Sequence, residues 1–244
     1  MAGHSHSANI AHRKNAQDAA RGKIFQKLSK EIYVAATGAG GADVETNPAL
    51  KLAIAKARSK NMPKDNIERA INKAKGDKNS SAFTEIVFNA TVPGGITFIV
   101  TTLSDNFNRV TSNIGAYFNK QNATLGKTGQ VPFTFDKKGI IEISKELIDE
   151  ETLMLVAIEN GADDLEVEED SFIVLCQPEK FSDVKNAIEG QLNINNFIQC
   201  EVTYIPNTYV EVSKEKQEKL LEFVAKLEDD DDVQEVYHNI ELID

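Results

Sequence analysis

Cysteine is nearly absent from this sequence: Cys176 and Cys200 are the two in 244 residues. Two thiols alone cannot build the four-ligand cage of a structural zinc site, nor the disulfide framework that staples small secreted domains. Both lie in apolar, strand-like stretches and read as small buried hydrophobes. Long apolar runs are missing too. A helical membrane span needs about 18–20 apolar residues, and the longest candidates here are Ile96–Val100 and Leu153–Ile158. Met1 to Asn9 is polar, without the apolar core of a signal peptide or the Arg-rich pattern of a transit leader. The expectation is a cytoplasmic protein with no membrane partner, or an organelle form without its leader.

Residues for catalysis are also scarce. Of four histidines, His4, His6 and His12 crowd the start, with no cysteine or carboxylate at metal-ligand spacing, and His238 is isolated. No Ser/His/Asp or Cys/His set can be assembled. Gly126-Lys127-Thr128 has the end of a nucleotide-binding P-loop, but the glycine the pattern needs at 121 is Gln121. The run Glu228–Asp232 is acidic, yet consecutive side chains cannot converge on one ion pair. The expectation is no enzyme, no cofactor and no metal.

Charge is present in quantity and unevenly placed. The net charge is −11, but residues 1–78 hold 15 Lys/Arg against 7 Asp/Glu, net +8. Residues 79–138 hold 5 against 3, and residues 139–244 hold 7 against 28, net −21. Such asymmetry points to a polyanionic partner for the basic part. The acidic part must face solvent or something else.

Periodicity divides the chain further. In residues 10–36, Ile24, Phe25, Leu28, Ile32 and Ala35 or Ala36 share one helical face. Lys23, Lys27 and Lys30 fall within about 60° on the opposite one. The glycine-rich run Thr37–Asp43 breaks the helix, and Gly38, Gly40 and Gly41 read as a flexible loop. Asn47-Pro48 starts a second helix to about Lys60. Asn61-Met62-Pro63 starts a third, with inner face Ile67, Ala70, Ile71 and Ala74 and a stop at Gly76.

Beyond 82 the period shortens. Phe83–Ala90 and Ile96–Leu103 read as strands around Pro93-Gly94-Gly95, Asn106–Gln121 as a helix capped by Asp105 or Ser104, and Gln130–Phe135 as a strand. Then come strand Gly139–Ile143, helix Lys145–Asn160, strands Asp163–Glu168 and Phe172–Gln177, helix Glu179–Gly190 and strand Phe197–Ile205. This βαββαβ series is the ferredoxin-like arrangement. A strand at Thr208–Val212, a helix at Lys214–Glu228 and a strand at Val233–His238 close the chain and need partners in 82–135. The fold class is α+β. A basic helical domain spans 1–78, a discontinuous α/β domain takes 82–138 plus 206–244, and a ferredoxin-like domain, 139–205, is inserted into it.

The basic candidates are Arg13, Lys14, Arg21, Lys23, Lys27 and Lys30, with Lys60, Lys64 and Arg69. Phosphates need cationic donors, and neutralising each one releases condensed counterions. A lysine stripe is usually a solvated helix face, but only Asp18 and Glu31 accompany the six basic residues of 13–31. Arg21 projects towards the apolar side and reads as a snorkelling side chain. Arg109, at a helix start, is a further phosphate contact to weigh against the nearby charge of Asp105.

Several blocks carry a family likeness. Met1-Ala2-Gly3-His4-Ser5, Asn9-Ile10-Ala11-His12-Arg13-Lys14, Arg21-Gly22-Lys23-Ile24-Phe25, Asn61 to Ala70, Pro93-Gly94-Gly95, Asp105-Asn106 with Asn108-Arg109, and Asp231 to Asn239 resemble the YebC/PmpR family throughout the chain. The resemblance implies a helical domain followed by two α/β domains. It implies nucleic-acid-linked regulation without catalysis, since members include DNA-binding transcriptional regulators, ribosome-associated factors acting at proline-rich stretches, and a mitochondrial translational activator for cytochrome c oxidase subunit I. This chain departs from the pattern at His6 and Ser7, where members usually have Lys-Trp, and at Ala11, where they have Lys. The expected partner is RNA on the ribosome, with duplex DNA as the alternative. The sequence lacks a clear recognition helix beside a dimer element, and a −21 region is repelled by a duplex that wraps it. It sets no oligomeric state.

Overall fold

The computed structural model describes residues 21–76 and 83–242. They fall into two compact units that divide inside two strands. One takes its described residues from 83–136 and 204–242, the other from 21–76 and 137–203.

The first unit is built on a four-stranded sheet, β1 (Thr84–Val92), β2 (Ile96–Ser104), β3 (Thr124–Leu125) and β8 (Val233–His238), in the order β3-β1-β2-β8. Gly94 and Gly95, at φ 102° and 78°, make the turn that lets β1 and β2 pair antiparallel from Val92↔Ile96 to Thr84↔Ser104. Every residue of β2 is buried, as befits a central strand. β1 alternates instead: Ile86, Phe88, Ala90 and Val92 face the core with Val110, Ile114 and Phe118 of α4 (Phe107–Asn119) and Leu220, Phe223 and Leu227 of α7 (Lys214–Glu228). Phe98, Phe118 and Phe223 meet with ring centroids 5.3–5.9 Å apart. Ile99, Phe135, Tyr204 and Tyr237 form a smaller cluster.

The second unit holds a sheet of β4 (Phe135–Ser144), β5 (Ala162–Val167), β6 (Ser171–Cys176) and β7 (Gln199–Pro206), ordered β5-β6-β4-β7. With α5 (Glu150–Glu159) and α6 (Phe181–Leu192) in the connections, this is the strand order of a ferredoxin-like fold. Leu153 and Ala157 of α5 and Phe181, Val184 and Ile188 of α6 pack on Ile141, Ile143, Phe172 and Val174. The same unit contains α1 (Arg21–Thr37), α2 (Pro48–Ser59) and α3 (Lys64–Gly76). Helix α2 buries Leu50, Ile54 and Ala57, and its Leu52 and Ala55 pack against the ferredoxin-like core. The helices and the 137–203 segment thus form one compact unit, because α2 has apolar residues to bury on more than one face.

Several elements differ from their sequence reading. Gln130–Phe135 is not a strand: β4 starts at Phe135, and Gly129 and Pro132 keep the preceding segment irregular. Thr208–Val212 contributes one bridge, Val210↔Ile240. Helix α5 starts at Glu150 and not Lys145, because Asp149 caps it by accepting from the Thr152 N–H at 2.9 Å. Helix α4 is capped by Asn106, which accepts from the Arg109 N–H at 3.0 Å, and not by Asp105 or Ser104.

Candidate nucleic-acid interface

The three helices owe their mutual positions to two short connections. At the end of α1, Gly38 N–H donates to Val34 and Gly41 N–H to Gly38, with Gly41 at φ 67°. Buried Asn47 then ties the loop on both sides. Its Oδ1 accepts from the Leu50 N–H at 3.0 Å, capping α2, and its Nδ2 donates to the Ala35 carbonyl at 2.8 Å and to that of Gly41. A Cβ on Gly40 would lie 2.5 Å from Asn47 Cγ, so only glycine fits there. These hydrogen bonds give the glycine-rich segment its path between the helices.

The second connection is a Schellman motif. Asn61 adopts φ 56°, its N–H donates to the Arg58 carbonyl, and the N–H of buried Met62 donates to that of Ala57. Pro63 follows, and α3 begins with Ile67, Ala70, Ile71 and Ala74 turned inward as the helical period predicts.

With those faces buried, cations fill much of what is left. Lys64, Arg69 and Lys75 of α3 and Arg58 of α2 are exposed. Lys64 lies 3.5 Å from Glu68, one turn on, a pairing worth little between exposed groups. Lys73 stands over the Tyr33 ring at 5.5 Å. Arg58, Lys73 and Lys75 were not singled out from the sequence, although they belong to the same basic excess. Their last-turn positions also suit the helix dipole, which is the plainer reason for a cation there.

The other candidates are placed differently. Arg21 is exposed, while Lys23, Lys27 and Lys30 on α1 are half-buried, and all four are engaged in interactions of their own. Arg13 and Lys14 lie outside the described residues. Lys60 belongs to a half-buried ion network: its Nζ is 3.8 Å from Glu201 Oε1, and Lys56 Nζ lies 3.6 Å from Glu201 Oε2 and 3.1 Å from Glu31. The Glu201 side chain, on β7, is 4% exposed and also accepts from Gln199 Nε2 at 2.8 Å. Lys60 thus joins helix to sheet within the unit. Its pairing with a residue some 140 positions away had no signal in the sequence.

Arg109 is likewise committed, here to carboxylates. Its Nε and Nη2 form a bidentate pair with Asp232 at 2.9–3.1 Å, and Nη2 reaches Asp105 at 2.9 Å. Hydrogen bonds donated to Asp232, then to Asp105, push the guanidinium further above its usual range. Two blocks of the family likeness, Asp105–Arg109 and Asp231–Asn239, thereby meet inside one unit. Asn239 adds to the join, its Oδ1 accepting from the Thr97 N–H at 2.7 Å.

A family model described as the TACO1/YebC N-terminal domain matches residues 5–77, and one described as the TACO1/YebC second and third domain matches residues 83–240. The chain belongs to the TACO1/YebC family. Among TACO1/YebC relatives, a probable transcriptional regulatory protein of Mycoplasmopsis synoviae is 68% identical over 242 residues, covering 99% of this chain and 100% of the relative. Proteins of the same description from Mycoplasmopsis agalactiae and Anoxybacillus flavithermus are 64% and 50% identical, each over 243 residues. These cover 99% of this chain, and 99% and 98% of the relatives. The crystal structure of a conserved hypothetical protein from Aquifex aeolicus is similar to this TACO1/YebC chain with a TM-score of 0.75 and 38% identity, covering 93% of both chains. Among the described residues no helix is long and apolar enough to cross a membrane.

Proposed function

We propose that this chain is a non-enzymatic, cytoplasmic regulator of gene expression that binds nucleic acid through its basic helices and acts on ribosomal RNA as a translation factor. The observation that carries the reading is the outward display of Arg58, Lys64, Arg69 and Lys75 on helices whose apolar faces are buried, within a segment of net charge +8. Cations so placed meet phosphates without desolvating a core, and release of counterions supplies the affinity. The relatives' names support a regulator. The strongly acidic 139–244 region favours a partner that it need not wrap, as on a ribosome, over a long duplex.

A second reading, a transcriptional regulator on duplex DNA, draws on those same names and on the short connection between α2 and α3, which has helix-turn-helix spacing. Against it, Asp65 and Glu68 stand in the first turns of α3, where such a helix would approach phosphates. Sucrose-gradient fractionation with ribosomes, paired with salt-titrated binding to duplex DNA, decides between them. Co-migration with ribosomes that is lost in Lys64→Glu/Arg69→Glu supports the first reading. Sequence-dependent affinity for duplex DNA at physiological salt without ribosome association supports the second and overturns the first.

A further inference from the structure

In the first unit, the segment between β3 and β4 offers an aromatic ring to solvent on a backbone that is firmly held. Phe133 is 93% exposed, more than any other large hydrophobic residue described. It owes this to no lack of local order. Asn89, on β1, donates through Nδ2 to the carbonyls of Lys127 and Gln130, both at 2.9 Å, and accepts at its own carbonyl from the Gly126 N–H at 2.9 Å. Gly129 N–H donates to Val87 at 2.7 Å, and φ 81° at that residue turns the chain. A Cβ on Gly126 would fall 1.7 Å from Asn89 Oδ1, so the loop can lie against β1 only with glycine there. At the far end, Asn207 Nδ2 donates to the Phe133 carbonyl at 3.2 Å, and Phe135 N–H donates to Pro132 at 3.0 Å. The hydrogen bonds fix the backbone, and among the described residues nothing covers the ring.

Charge indicates what would cover it. Between Asp105 and Asp136 there is no carboxylate, and the basic residues of that interval are Arg109, Lys120 and Lys127. Arg109 is held by Asp232, but Lys120, at the C-cap of α4, and Lys127, in the loop itself, are exposed. A flat π-face carried on the same short stretch of chain as solvent-facing ammonium groups suits an unpaired nucleobase and its phosphates: stacking tolerates any base, and the cations follow the backbone. A preformed loop gives up little conformational freedom when it binds.

We infer that Phe133 is a stacking platform for an unpaired base, with Lys127 and Lys120 as phosphate contacts, forming a second nucleic-acid subsite on the unit that does not hold the basic helices. The inference rests on the function proposed above. The chain contains no tryptophan, so Phe133→Trp introduces a single indole reporter. Titration with an adenine-rich single-stranded RNA, the matching single-stranded DNA and the corresponding duplex, each followed by anisotropy and by indole emission, separates the two claims. The expected result is indole emission from Phe133→Trp that is quenched by the single strands and not by the duplex. Quenching by RNA but not by DNA assigns the subsite to RNA. In Phe133→Ala, with an unchanged circular dichroism spectrum, single-strand affinity falls about tenfold at an unaltered salt slope. In Lys127→Ala the slope itself becomes shallower by about 0.7.

Binding without quenching at saturation, equal quenching by duplex, or wild-type affinity in Phe133→Ala overturns the stacking platform and leaves the basic-helix function standing. Phe133→Ala that binds RNA normally but loses co-migration with ribosomes makes the ring a protein contact and likewise overturns it. Failure of the wild-type protein to bind any of the three polymers removes the proposed function, and the subsite with it.

Discussion

Replacing Glu201 by Gln keeps its shape and removes its charge from between two lysines. Glu201 lies 3.6 Å from Lys56 Nζ and 3.8 Å from Lys60 Nζ, and its side chain is 4% exposed. Removing one member of a buried pair costs about 3–5 kcal/mol when the remaining charge has no other recourse. Here Lys56 keeps Glu31 at 3.1 Å, and the lysine side chains remain 16% and 18% exposed, so both ammonium groups retain some access to water. The loss should therefore lie below that range, about 2–3 kcal/mol. For a chain of this size that is a fall of roughly 5–10 °C in melting temperature. Urea titration followed by circular dichroism measures it, and Lys60→Met with the double variant completes a cycle. A coupling of about 1 kcal/mol between the two sites is expected. Lys60→Met should also leave the salt slope of RNA binding unchanged, since its charge serves Glu201. A Glu201→Gln protein within about 0.5 kcal/mol of wild type, or additive effects in the cycle, would refute the reasoning.

Other consequences follow from the same contacts. Asn47→Ala removes the cap of α2 and both ties to the loop and should cost about 2 kcal/mol in urea titration, while Gly40→Ala should produce a similar loss by displacing Asn47. Burial pushes the Cys176 thiol up to about 11 and the Cys200 thiol up to about 12, so neither should react with a thiol reagent at pH 8 until the protein is denatured, as mass spectrometry would record. Burial, then the neighbouring charges of Asp164 and Glu168, raises the Glu166 carboxyl above its ordinary value. A raised acid binds its proton more tightly when folded, so this group contributes stability at low pH that is lost as pH rises from the unfolded value through the folded one. Glu166→Gln should accordingly raise the melting temperature at pH 7, by an amount that vanishes as pH falls below the usual glutamate range.

The parts of the fold legible in sequence are those where one period dominates. Ile67, Ala70, Ile71 and Ala74 announced the inner face of α3, and the βαββαβ series announced a sheet whose order is now visible. Terminators were harder. Val131 and Phe133 have strand propensity, yet Gly129 turns the chain and the Asn89 side chain takes the carbonyls of Lys127 and Gln130, while the true strand continues through Lys137 and Lys138, which look like surface loop. Asn47 and Asn106 hold key positions through hydrogen bonds that composition cannot reveal. The candidate site was legible as a charge excess but not residue by residue. Exposure distinguishes Lys64 and Arg69 from Lys60, and exposure depends on Glu201, a carboxylate far away in the chain.

The central claim is that the outward cations of the helical segment neutralise phosphates, and the salt dependence of RNA affinity tests it most directly. Plotting log K against log salt for wild type and for Lys64→Ala/Arg69→Ala should give two straight lines, the variant shallower by about 0.7 for each lost single-strand contact and weaker at every salt concentration. Parallel lines of equal intercept, from a variant with an unchanged circular dichroism spectrum, would contradict the claim.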